Sequence, residues 1–311
     1  SLNAALLNAT TAELKFRNDT GRVGVKVNPT DEVTVRVGAG QTARTGTKSI
    51  GASLGFSGAI ELPAPVDDVT RDASLGLEYA TKIFQAQAGY AWSQYDNNIT
   101  SLIWDSPKRL TDQTYSGAYS NADGSARGRM PVPGDSLTQR LNAVVGVSDL
   151  PWHGRATASV SYARATQSTD LLPYTINSKI KTSSPGLGGS TDASNPDSLP
   201  ARIFNARIDT LVQRYAVHLR PADPVDVQVA YRDQKQENKS DQITFPGAVY
   251  LDQTWSTGVI ENELFGFTKR DLDGDVKVKV VKPLTLGAGA GYNWTTRHDR
   301  EAETSNETSL R

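Results

Sequence analysis

Three histidines, His153, His218 and His298, are the side chains that most readily suggest catalysis or metal binding in this 311-residue chain. They are far apart in sequence and no carboxylates stand at matching intervals. A metal centre or a nucleophile, base and acid relay has no constellation to build on. "DLDGD", Asp271 to Asp275, places carboxylates at alternate positions as a calcium loop does, but lacks the twelve-residue pattern and its closing glutamate. It reads as a turn leading from loop to strand. "GLGG", Gly186 to Gly189, is followed by neither Lys nor Ser or Thr in the phosphate-loop pattern, and reads as a flexible loop. The triplet Asn98 to Thr100 reads as surface loop. The chain has no cysteine, which excludes disulfides, thiolate metal sites and covalent haem attachment through C-x-x-C-H within it. No catalytic, cofactor-binding or metal site is expected, so the chain is not read as an enzyme.

The elements that must position any functional surface are strands. The segment "KIFQAQAGYAWSQYDNN", Lys82 to Asn98, puts Phe84, Ala86, Ala88, Tyr90 and Trp92 on one face and Gln85, Gln87, Gly89, Ala91 and Ser93 on the other. The same period of two recurs in pairs separated by short turns, which predicts hairpins near 21–38, 70–95, 137–165, 208–232 and 275–296. Shorter strand-like pieces flank them, "AELKF" near Ala12 and "SIGASLGF" near Ser49. The segments joining one hairpin to the next are long and rich in Asn, Asp, Ser, Thr, Gly and Pro. They run roughly from Gln41 to Val69, Tyr95 to Ser136, Thr166 to Arg207 and Arg232 to Arg270.

Alternating short and long connections are foreign to compact soluble domains but natural to an outer-membrane barrel with tight periplasmic turns and extended extracellular loops. Mean hydropathy of −0.44 does not oppose this, because a barrel strand shows lipid only every second residue. No run approaches the 18 or so apolar residues of a membrane helix. Basic and acidic residues, 33 and 34, are balanced and scattered, so no nucleic-acid footprint exists. The start, "SLNAALLNAT", lacks the basic and apolar regions of a signal peptide. Tyr79, Tyr90, Trp92, Tyr162, Tyr231, Tyr292 and Trp294 fall near the long-loop end of the apolar face, where an interfacial girdle belongs, and Trp152 sits in a short turn at the other end. A soluble β-sandwich with aromatics on its inner face is the competing reading of the alternation.

Several motifs carry a resemblance. "GAIELPAPVDDVTRDASLGLEYATKIFQAQAGYAWSQYDNNITSLIWDSP" resembles a recurring segment of the MtrB/PioB family of outer-membrane β-barrels, an E-L-P-x-P-(V/I)-D element, a hairpin and an S-L-x-W-D-x-P element. "DLPWHGRATASVSYARATQSTDLLPYTIN", "SLPARIFNARIDTLVQRYAVHLRPADPVDVQVAYRDQKQENKS" and "FTKRDLDGDVKVKVVKPLTLGAGAGYNW" resemble the segments that follow in that family, in order, over roughly Ile60 to Arg311. Residues 1–59 fit less distinctively.

The resemblance implies an all-β, transmembrane, antiparallel up-and-down barrel in a bacterial outer membrane. It implies a non-catalytic sheath that holds a periplasmic decahaem c-type cytochrome across that membrane for extracellular electron transfer, with an extracellular multihaem cytochrome as a further partner. Haem c would belong to the cytochrome, and no cofactor to this chain. The rival functions are an outer-membrane porin or substrate channel and a soluble β-rich binding module. Ten to twelve strands would close too narrow a lumen for a multihaem protein. The expectation is therefore one domain, 1–311, that is an internal part of a longer barrel; the cysteine pair of some family members is also missing here. By parity, Lys26, Arg36, Gln85, Gln87, Arg214, His218, Gln228, Lys277 and Lys279 are expected to face the lumen and its partner. Phe84, Ala86, Ala88, Tyr90, Trp92, Tyr162, Tyr231, Tyr292 and Trp294 are expected to face lipid or form the girdle.

Overall fold

The computed structural model describes residues 7, 11–54, 58–106, 109, 111–113, 124–182, 191–250 and 254–311. Its strands are β1 (16–27), β2 (33–54), β3 (58–80), β4 (84–97), β5 (101–105), β6 (127–131), β7 (136–150), β8 (154–170), β9 (181–182), β10 (191–192), β11 (203–222), β12 (225–238), β13 (244–250), β14 (254–261), β15 (266–281), β16 (284–298) and β17 (304–310). Eleven of them form one antiparallel sheet in the order β1-β2-β3-β4-β7-β8-β11-β12-β15-β16-β17. Each main strand therefore pairs with its neighbours in the chain, in up-and-down order, and β1 and β17 are the two outer strands, not paired with each other.

Local chemistry explains the tight turns. Between β3 and β4 the Thr81 hydroxyl accepts from the Phe84 N–H at 3.0 Å, while the Thr81 N–H donates to the Phe84 carbonyl at 2.7 Å, so three residues suffice. Between β1 and β2 the Thr30 hydroxyl accepts from the N–H groups of Glu32 and Val33, the hydroxyl turn that Ser and Thr favour. The 151–153 turn uses left-handed backbone at Trp152 (φ 62°) and His153 (φ 49°).

The expected long loop from Gln41 to Val69 does not exist. β2 and β3 run on as a continuous ladder to the pair Leu54↔Gly58. Pro63 and Pro65 fit in the strand because β4 pairs with β3 only as far as Asp68↔Asn97. Below residue 68 β3 is therefore an edge, where a missing N–H leaves no ladder bond unmade. The other long connections carry structure of their own. β5–β6 and β13–β14 are hairpins within them, β9–β10 is a two-residue ladder, and residues 196–198 form a 3-10 turn capped by Asn195. Asp271 to Asp275 lies inside β15, not in a turn, because its period of two continues the strand with Leu272 and Gly274 on the alternate face. "AELKF" enters the sheet only at Phe16. Gly186 to Gly189 lies outside the described residues.

The core is unlike that of a soluble sandwich. Buried apolar residues are few, and Leu102, Ile180, Ala193 and Ile243 belong to the connections. On the sheet itself Val23 is 68% exposed, Leu141 55% and Leu286 57%. No second layer covers that face among the described residues, so the apolar surface meets whatever solvent surrounds the protein.

Candidate functional site

The cross-strand registers sort the sheet into two faces without reference to sequence pattern. Lys26 pairs with Arg36, Arg36 with Gly76, Gly76 with Gly89, Gly89 with Asn142, Asn142 with Ser161, and the row continues through Val212, Gln234, Lys269 and Thr295. Residues directly opposite share a face. Gln85, Gln87, Arg214, His218, Gln228, Lys277 and Lys279 fall on the same side as this row, so all nine residues expected to face a lumen share one face. The opposite face holds Phe84↔Val147, Ala86↔Val145, Ala88↔Ala143, Tyr90↔Leu141, Tyr162↔Leu211, Tyr215↔Tyr231 and Leu272↔Tyr292. Trp92 and Trp294 lie at its upper limit, opposite Gln139 and Arg270, whereas Tyr79, expected near the long-loop end, lies beside the short 81–83 turn against Phe84, because β3 ends at Ala80.

The polar face is laced with short ion pairs. Arg36 meets Glu78 at 2.7 Å, and Arg44 grips Asp68 with two bonds of 2.6 and 3.0 Å while the Tyr95 hydroxyl adds a third contact at 3.4 Å. His218 Nε2 lies 2.7 Å from Asp226, so the one histidine on this face is held by a carboxylate. His153 is in the turn and His298 at the far end of β16. Among the described residues no group of three or more His, Asp or Glu could hold a metal ion. Between these ion pairs the wall is low. A Cβ placed on Gly24, Gly76, Gly146 or Gly287, all on the polar face, would meet nothing nearer than 3.6 Å. The sheet itself does not require glycine there. Gly21, Gly51 and Gly274 are equally open on the apolar face, and Gly38, Gly40, Gly89, Gly289 and Gly291 on the polar face already have a neighbouring side chain within 3.1 Å of such a Cβ, so open glycines do not distinguish the two faces.

The long connections interlock above the sheet. The fully buried Asn177 donates its Nδ2 to the Gln113 carbonyl at 2.9 Å and to the Ser125 hydroxyl at 3.2 Å, joining the 171–202 and 98–135 segments. Arg129 reaches the Pro173 carbonyl at 2.6 Å. Tyr174 packs edge-on against Trp255 (centroids 4.9 Å apart) and Phe245 (6.2 Å), drawing the 239–265 segment in. Burial pushes the Tyr174 hydroxyl pKa up. For Asp192 burial acts against ionisation, but the Ser194 N–H and hydroxyl and the Lys181 ammonium outweigh it and hold the carboxyl below its ordinary value. The bases of these segments are also pinned, by Asn97 to Asp135 and Pro133 and by Asn205 to Asp241.

Sequence reasoning missed a belt of charge on the apolar-face side, just past the aromatics. It includes Arg71 with Asp96, Asp233 with Arg270, and Arg164, Arg207 and Lys239 around Asp209. The signal was available: period-two alternation continues past Tyr162 and Tyr231, and the side chains of that parity turn from apolar to charged.

No helix among the described residues is long and apolar enough to cross a membrane. No curated protein sequence matches the chain. Among solved structures, the open form of the ferric-catecholate import receptor Fiu from E. coli K12 shares 11% identity over 96% of this chain and 54% of that one, with a TM-score of 0.49. OmpT, an outer membrane protein of Vibrio cholerae, shares 10% over 94% and 86%, with a TM-score of 0.30. A mutant of the ferric enterobactin receptor PfeA of Pseudomonas aeruginosa shares 11% over 95% and 53%, with a TM-score of 0.30. The chain thus spans about half the length of the Fiu and PfeA chains. A family model described as "Putative outer membrane beta-barrel porin, MtrB/PioB" matches residues 1–311, the whole chain. An up-and-down sheet with one continuous apolar face and one polar face, matched along its entire length by that family, belongs to the MtrB/PioB family of outer-membrane β-barrels.

Proposed function

We propose that the polar face is the inner wall of a non-catalytic sheath that holds a periplasmic multihaem c-type cytochrome across the outer membrane, so that electrons pass along its haems. The observation that carries this reading is the continuous polar face, which brings Lys26, Arg36, Gln87, Arg214, Gln228 and Lys277 to one side of the sheet. On that face Arg36 with Glu78 offers both signs of charge and His218 with Asp226 a hydrogen-bonded polar pair, suited to a large polar surface held through direct and water-mediated contacts. The division of labour is physical. Lipid is a poor solvent for the surface of a cytochrome, and a barrel gives that surface a polar lining while presenting Val23, Leu141 and Leu286 to the hydrocarbon. In this reading the eleven strands are an arc of a wider barrel, haem c belongs to the partner, and the interlocked connections face outward, where an extracellular multihaem cytochrome would dock.

The test is extraction of the full-length protein from outer membranes in detergent, followed by a haem stain of what co-purifies, for the native chain and for Gly76→Trp. The native protein should retain a haem-bearing partner; Gly76→Trp should lose it while still migrating as a folded, heat-modifiable barrel. Absence of any haem-bearing partner from the native protein sinks the sheath reading and leaves the barrel intact. A porin is the second reading, favoured by the family's own description. It requires steady ion conductance by the purified native protein in planar bilayers with no partner bound.

A further inference from the structure

The charge belt beyond the aromatics is not uniform. Arg71 with Asp96, and Arg270 with Asp233 at 2.9 Å, are one-to-one pairs. Around Asp209 the stoichiometry differs. Its carboxylate accepts from Arg164 Nε at 2.9 Å, from Arg207 through Nε at 3.2 Å and Nη2 at 2.7 Å, and from Lys239 Nζ at 3.2 Å. Lys239 also meets Glu237 at 3.1 Å, and Glu237 meets Lys235 at 2.5 Å. Four cations therefore share two carboxylates. The anion at the centre is covered, Asp209 being 6% exposed, whereas Arg164, Arg207 and Lys239 are 40%, 38% and 45% exposed. The exposed parts of Arg207 and Lys239 line a recess that Asp96, Asp135 and Asp241 also line, so the cations there stand beside further carboxylates.

Height along the strands decides what solvent the cluster meets. Arg164 and Asp209 oppose each other one register step, two residues, beyond the pair Tyr162↔Leu211, which ends the apolar surface of β8 and β11. Two residues carry them about 6.6 Å further along the strand. Arg164 also donates to the Tyr162 hydroxyl at 2.8 Å, which ties the cluster to the girdle. Asp209 takes the Nε and Nη2 of Arg207, and Arg164 gives Nε to Asp209 and Nη2 to Tyr162, so both guanidinium groups are fixed at headgroup height with their remaining N–H donors and the Lys239 ammonium left to meet a phosphate ester. We propose that Arg164, Arg207 and Lys239 form a binding site for the phosphate groups of outer-leaflet glycolipid on the outer surface of the barrel. The inference rests on the outer-membrane placement and is independent of the sheath reading.

The experiment measures lipid retained by the full-length, detergent-purified protein in native mass spectrometry, offered lipid A, its dephosphorylated form, or lipid A with inorganic phosphate in competition. The native chain should retain the phosphorylated lipid at least about tenfold better than the dephosphorylated one, a factor equivalent to 1.4 kcal/mol. R164Q and K239Q should each reduce that preference, and R71Q, which removes the cation of a balanced pair, should leave it. Equal retention of both lipids by the native chain overturns the proposal without any variant having to fold. Displacement of the lipid by equimolar inorganic phosphate overturns the assignment to lipid in favour of a free-anion site.

Discussion

Ala88 lies at the centre of the apolar face of β4, and a charge there should oppose membrane assembly where a charge one residue away does not. The apolar positions of β4 run from Phe84 to Trp92. At about 3.3 Å per residue they span about 26 Å of strand, or about 20 Å of membrane depth at a tilt of about 40°. Ala88 is four residues from either limit, near mid-bilayer, and Leu77 and Ala143 lie directly opposite it on the two neighbouring strands. An arginine at such a depth costs about 2–4 kcal/mol. That lowers the folded-to-unfolded ratio in lipid by about 30- to 700-fold. Gln87 points to the other face, directly opposite Glu78. Gln87→Arg there adds a cation beside a carboxylate and should change stability by no more than about 0.5 kcal/mol. The assay is urea unfolding of each variant in lipid vesicles, read by the shift in electrophoretic mobility on heating. Ala88→Arg should fail to assemble or unfold at much lower urea, and Gln87→Arg should match the native chain. Equal behaviour of the two, or the reverse order, would refute the assignment of faces.

Other consequences can be checked separately. Asn177→Ala removes the donor that joins two connecting segments and leaves the Gln113 carbonyl without it, at a cost of roughly 1–3 kcal/mol locally; limited proteolysis should cut the 98–135 and 171–202 segments faster while the sheet stays intact. Gly46 holds φ +134°, and a Cβ there would stand 2.0 Å from the Lys15 carbonyl oxygen. Gly46→Ala should lower the urea midpoint, by roughly 1–3 kcal/mol in stability, whereas Gly24→Ala, whose nearest neighbour is 3.7 Å away, should not. The pKa of Asp192 is held down in the folded chain, so its ionised form contributes stability above the unfolded value, about 3.9, and loses it as pH falls through the lower folded value. Hydrogen exchange at the Ala193, Ser194 and Asn195 amides should accelerate through that range in the native chain and show no such step in Asp192→Asn.

The two faces were legible because a strand repeats every two residues and nothing else in the chain competes with that period. Positions as distant as Lys26 and Lys277 could be assigned to one face from parity alone. The lengths of β2 and β3 were not legible. Whether Pro63 and Pro65 can sit in a strand depends on which neighbour is absent, and that is a property of the sheet. Asp271 to Asp275 misled for a related reason, since three acidic residues and a glycine mimic a turn until the alternation of Leu272 and Gly274 is set against β16. The interlock at Asn177 was beyond reach, because its partners Gln113 and Ser125 lie more than fifty residues away in segments with no periodicity. The Asp209 cluster could have been found by carrying the period past the girdle and noting where apolar residues give way to both signs of charge.

A photoreactive amino acid can be placed at single positions on either face of the protein in intact cells. Labels at Gln87 and Arg214, on the polar face, should cross-link to a haem-bearing protein, and labels at Ala88 and Tyr231 should give no such product. A haem-bearing adduct from the apolar-face positions, or none from either face, would contradict a polar lining wrapped around a cytochrome.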